Sequence, residues 1–119
     1  MKLLIIVDAI SYAFSSEHYL EDEENALSDI HQYINGITFN LDILLNTTFE
    51  ISNKRHSLGS VDKDNDGNEF VNFDFDFSLT SDKKFDNTIA LSTIEDLIYN
   101  FMKEQNSVSS VSSTVNVSD

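Results

Sequence analysis

The sequence predicts an α+β domain: a small antiparallel sheet packed against helices on one face, with a flexible C-terminal tail. Three stretches lead there. Val71, Phe73, Phe75, Phe77 and Leu79 alternate with Asn72, Asp74, Asp76 and Ser78, the period of a strand with one buried face. Ile94, Leu97, Ile98, Phe101 and Met102 recur at the spacing of an amphipathic helix. Residues 105–119 are mostly Ser, Val and Asn and lack a helical period. The domain is therefore expected over residues 1–104, with 105–119 as the tail.

A chain of 119 residues is one domain's worth, large enough to bury a core without covalent staples. It contains no cysteine, which excludes disulfides and thiolate-ligated zinc or iron–sulfur centres and favours a reducing compartment such as the cytoplasm, a host cell's if the protein is viral. No apolar run reaches the ~18 residues of a membrane span.

Residues 2–14 are ambiguous. Leu3, Ile6, Val7, Ile10, Ala13 and Phe14 share a helical face, while Leu3 to Val7 also suits a short buried strand. A helix or mixed element is expected there. Met1, Lys2 and the run Leu3 to Val7 invite a secretory-leader reading; Asp8 interrupts the run early and favours the cytoplasmic reading, with secretion as the alternative.

Residues 22–35 predict a helix. Asp22, Glu23 and Glu24 complement the dipole in its first turn, Leu27, Ile30 and Ile34 form its apolar stripe, and Asn35-Gly36 supplies a stop. Ile37, Phe39, Leu41, Ile43, Leu45, Thr47, Phe49 and Ile51 then occupy every odd position. This alternation predicts a strand with a bend near Asn46-Thr47, because sixteen residues exceed the usual strand length. The competing helix through Ile34, Ile37, Leu41 and Leu44 would run through Gly36 and leave Phe39 and Ile43 outside its stripe.

Val61 to Asn68 predicts a loop around Asp66-Gly67, a hairpin signal, feeding the strand 71–79. Ser92-Thr93-Ile94-Glu95 matches the capping box and opens a helix ending near Glu104. The valines of 105–119 also permit an edge or donated strand.

Acids outnumber bases, and the formal charge is −14. Direct binding to nucleic acid or to anionic membranes is disfavoured, whereas solubility, cation binding or a basic protein partner is favoured. Catalytic signatures are missing. There is no Gly-x-Ser-x-Gly elbow and no cysteine nucleophile, and Gly36, Gly59 and Gly67 lie too far apart to cradle a phosphate. His18, His31 and His56 do not form a metal-binding pair. The chain reads as non-enzymatic.

Asp62, Asp64 and Asp66, followed by Gly67, reproduce the first half of an EF-hand loop and are candidate calcium ligands. The second half fails, because loop position twelve is Phe73. A solvated hairpin tip is the simpler reading. Two acidic clusters stand out: Glu17, Glu21, Asp22, Glu23, Glu24 and Asp29, and then Asp62, Asp64, Asp66, Glu69, Asp74 and Asp76. Asp74 and Asp76 share one side of a strand about 6.8 Å apart, on the scale of neighbouring phosphates. Such a surface either occupies a basic nucleic-acid groove or simply keeps the protein soluble. An alternative expectation is that Lys54-Arg55-His56 lies opposite Asp74 and Asp76 in the hairpin and neutralises them.

Asn65-Asp66-Gly67-Asn68-Glu69-Phe70-Val71 resembles a hairpin in small acidic anti-CRISPR proteins that inhibit type II effector nucleases. The resemblance covers seven residues and the composition. It implies an acidic surface occupying the site that reads duplex DNA, with Asp64, Asp66, Glu69, Asp74 and Asp76 as the contact residues. The functional expectation is thus an acidic inhibitor of a nucleic-acid-binding enzyme. The alternatives are a structural subunit of a viral or other large assembly, joined through its tail, and a calcium-binding module.

Overall fold

The computed structural model describes residues 1–12, 23–105 and 108–118. Four strands and two helices follow the order β1 (Lys2–Ser11), α1 (Glu23–Leu45), β2 (Glu50–Lys63), β3 (Glu69–Thr80), α2 (Leu91–Lys103) and β4 (Val108–Ser118). The strands form one antiparallel sheet in the order β2-β3-β1-β4, with both helices packed on it. This is the split β-α-β connectivity, in which β3 separates the parallel strands β1 and β2. Many unrelated functions share it.

Residues 2–11 are a strand, not the expected helix or mixed element. Leu3, Ile5, Val7 and Ala9 are buried beneath the helices, while Leu4, Ile6, Asp8 and Ile10 face the other way. β1 has a strand on each side, so most of its outward apolar side chains are also half-covered, which blurs the alternation. Ala13 and Phe14 lie outside the described residues.

The expected helix at 22–35 and strand at 37–51 are largely one helix, α1. Ala26, Ile30, Tyr33, Ile34, Ile37, Leu41 and Leu45 form a continuous buried stripe. Phe39 and Ile43, which the alternation would have buried, are 64% and 65% exposed. Gly36 does not stop the helix; it sits inside α1, where the missing side chain leaves room for the Phe101 ring of α2. A Cβ there would collide with the Phe101 ring. The stop is Asn46, with φ +50°, a conformation asparagine tolerates just past a helix end. Lys83 Nζ donates to Leu45 O at 2.7 Å, supplying the cation that the last turn of α1 lacks.

The inner face of β3 carries the core. Phe73, Phe75 and Phe77 stack in a row with centroids 6.3 and 6.2 Å apart, and Tyr33 of α1 lies against the first two. β2 is irregular, with register shifts between Ser52 and Arg55 and between Leu58 and Val61. Asn53 has φ +54° at the first. At the second, Gly59 admits the close approach of β3: a Cβ would meet Asn72 O at 2.9 Å.

The capping box does not form. The N-cap of α2 is Ala90, and no side chain caps it. Residues 108–118 form β4, paired along β1 from Ser11↔Val108 to Lys2↔Ser118. The expected tail is thus largely an ordered edge strand. Val108 and Val115 are buried beside α2, and short β-branched and hydroxyl side chains suit that half-covered position.

Candidate functional site

The helices cover one face of the sheet, and the other face is the candidate site. The two-residue period places Leu4, Ile6, Asp8 and Ile10 of β1 there. Their register partners are Ser78, Asp76, Asp74 and Asn72 on one side and Asn116, Thr114, Ser112 and Ser110 on the other. An aliphatic spine therefore runs along the middle strand between a partly acidic row and an uncharged polar row.

Asp8 and Asp74 are direct cross-strand partners. Opposed Cα atoms in such a pair are only about 4.5–5.5 Å apart, and like charges there destabilise the sheet. Both carboxylates line a shallow depression of about 370 Å³ together with Ser57, Asn72, Ser110 and Ser112. The Asp74 carboxyl is held above the ordinary aspartate range. Partial burial is the main cause, Asp8 and Asp76 add to it, and His56 opposes it. Asp76 has a different environment: Arg55 Nε donates to its Oδ1 at 3.0 Å. The neutralisation expected across the hairpin thus reaches Asp76, whereas Asp74 faces Ser57 on β2.

The hairpin tip is built around Asp64. Its Oδ1 accepts from the backbone N–H groups of Asp66 and Asn68 at 3.0 and 2.9 Å, and its Oδ2 accepts from Tyr12 Oη at 3.0 Å. Hydrogen bonds, led by the Asn68 backbone N–H, hold the Asp64 carboxyl below its ordinary range. Gly67 supplies the turn with φ +83°. Asp62 Oδ1 accepts from Lys63 N at 2.8 Å. Asp64 and Asp66 are therefore turn residues and Asp62 is a strand residue paired with Phe70, and among the described residues no group of three or more potential ligands could hold a metal ion.

The five candidate contact residues do not form one patch. Asp64, Asp66 and Glu69 lie at or beside the tip, with Glu69 opposite Lys63. Asp74 and Asp76 lie on the open face, and Asp74 is about 17 Å further along β3 than Glu69 by strand rise. Asp8 joins them. It is the lone charge in an apolar run, which marks it as unusual, but its pairing with Asp74 requires knowledge of the strand order.

His31 on α1 and His56 on β2 line a depression of about 320 Å³ with Lys54 and Arg55, so histidines that are far apart in the sequence border one depression. His18, Glu17, Glu21 and Asp22 lie outside the described residues, as does the side chain of Glu23. Among the described residues, no helix is long and apolar enough to cross a membrane. No family model, curated protein or solved structure matches the chain.

Proposed function

We propose that this chain is a non-enzymatic interaction protein whose open sheet face docks a basic protein. The observation that carries the reading is the in-register pair Asp8–Asp74. Its repulsion weakens the fold, and a cationic partner would relieve it; local rules are most often broken in this way at functional sites. The aliphatic spine of Leu4, Ile6 and Ile10 supplies the apolar contact that such an interface needs. In its sharpest form the partner is a nucleic-acid-binding enzyme, such as a CRISPR effector nuclease, whose basic groove the acids occupy. The resemblance at Asn65–Val71 supports that form; because the tip lies apart from Asp74 and Asp76, the proposal takes the open face as the contact.

The test is affinity capture from host lysate at low and high salt, with reversal variants. A nucleic-acid-binding enzyme should be captured at low salt and released at high salt. Asp74→Lys with Asp76→Lys should abolish capture, while Asp96→Lys on α2 with Glu104→Lys at its C-cap should not. Equal loss from both pairs would remove the site assignment. Failure of the purified chain to inhibit DNA cleavage by a type II effector nuclease would remove the sharpest form. A second reading, a subunit of a larger assembly, is favoured by the composition of β4.

A further inference from the structure

The two edges of the sheet differ. β2 carries Glu50, Lys54, Arg55, Asp62 and Lys63 and two register shifts, features that discourage further strand pairing. β4 has the sequence VSSVSSTVNVS, with no charge and no proline. Its one irregularity lies at its start, near Val108, where Lys103 Nζ also occupies Ser109 O at 2.7 Å. From Ser110 to Ser118 the ladder with β1 is regular. Among the described residues, no strand lies on the other side of β4. A regular, uncharged edge of this length is a template for another strand.

We infer that β4 pairs antiparallel with β4 of a second copy of this chain, joining two four-stranded sheets into one. Side-chain chemistry selects this occupant. Full overlap of residues 110–118 places the twofold axis at Thr114. On the helix side, Val111 then faces Val117 of the second copy, and Ser113 faces Val115. On the open side, Thr114 faces its own counterpart and Ser112 faces Asn116. These are β-branched and hydroxyl pairs of the kind that stabilise antiparallel sheets, and no like charges meet. Leu91, 40% exposed at the start of α2, lines a depression of about 420 Å³ with Val117 and Ile89, adding apolar surface beside the joint.

Charge points the same way. On a chain of formal charge −14, β4 is a strand two copies can bring together without opposing carboxylates. Each protected β2 edge then lies about 14 Å from the joint, so pairing closes as a twofold dimer and does not propagate. The open face is left free, and this inference does not depend on the proposed basic partner.

Sedimentation velocity on the full chain across a concentration series tests it. A monomer–dimer equilibrium that strengthens with salt is expected, because salt screens the repulsion between acidic copies. Binding to a basic partner has the opposite salt dependence, so the two proposals fail separately. Thr114→Lys and Thr114→Glu place like charges at the axis and should each raise the dimer Kd by about fivefold. An equimolar mixture of the two should restore dimer as the mixed pair. Thr114 is exposed and opposite Ile6, and circular dichroism should show both variants folded. A wild-type chain that stays monomeric at high concentration and high salt would overturn the inference. So would a dimer unmoved by either substitution, or growth into open-ended oligomers.

Discussion

Asp74 and Asp64 are both aspartates of the β2–β3 hairpin, and their surroundings push them in opposite directions. The Asp74 carboxyl titrates above 3.8, chiefly through burial and then through Asp8 and Asp76. The native state therefore holds this proton more tightly than the unfolded chain, and stability falls as pH rises from 3.8 through the native value. Asp64, held below 3.8 by the turn N–H groups, contributes stability that is present above 3.8 and lost as pH falls through its native value. Asp74→Asn should accordingly stabilise the protein at neutral pH. Urea titrations of both chains should show the advantage shrinking below pH 3.8 as wild-type Asp74 becomes neutral. An advantage that persists unchanged at low pH would mean that the carboxylate charge is not its source.

Helix α1 shows how two periods can coexist in one stretch. Odd positions from Ile37 to Ile51 are mostly apolar, yet Ile37, Leu41 and Leu45 also continue the stripe begun at Ala26. The longer stripe wins because it meets the sheet and α2 together, at the cost of leaving Phe39 and Ile43 in solvent. Gly36 misleads because its reason is a neighbour remote in sequence, Phe101. The turn at Asn46 was legible, although the element before it was not. Strand β3 was fully legible because a clean alternation needs no partner to be interpreted. At α2 the apolar stripe was legible but its start was not: Ser92 lies past the N-cap, and Ala90 occupies that place at φ −67°, ψ 142°. Ala90→Ser should therefore add about 1 kcal/mol, readable as a rise of about 4 °C in Tm. Ser92→Ala should leave Tm nearly unchanged; a loss matching that of a missing cap would restore the capping box.

Over the whole molecule, the open face carries the consequence of the strand order. Asp74 and Asp76 could be placed on one side of a strand from sequence, but Asp8 could not be joined to them. The order β2-β3-β1-β4 brings together segments from opposite ends of the chain, and no local pattern records that. The same order places β4 at an edge where a tail was expected. The formal charge of −14 acts against any compact state through self-repulsion. Resistance to thermal unfolding should thus increase with ionic strength at neutral pH, even on the Thr114→Glu chain, where dimer formation contributes least. A Tm that falls with added salt would show that the short-range pairs, such as Arg55–Asp76, outweigh the long-range repulsion.

The position of β1 also bears on synthesis. Its ten residues leave the ribosome before either neighbour: β3 begins at Glu69 and β4 at Val108. Until those segments follow, Leu3 to Val7 is an apolar strand with two open sides, and a nascent chain halted before β4 would keep one of them open. Asp8 within it and the acids that emerge after it, in the run from Glu17 to Asp29, surround the waiting strand with like charge. Charge that burdens the finished molecule through self-repulsion also holds neighbouring unfinished chains on a polysome apart at this segment.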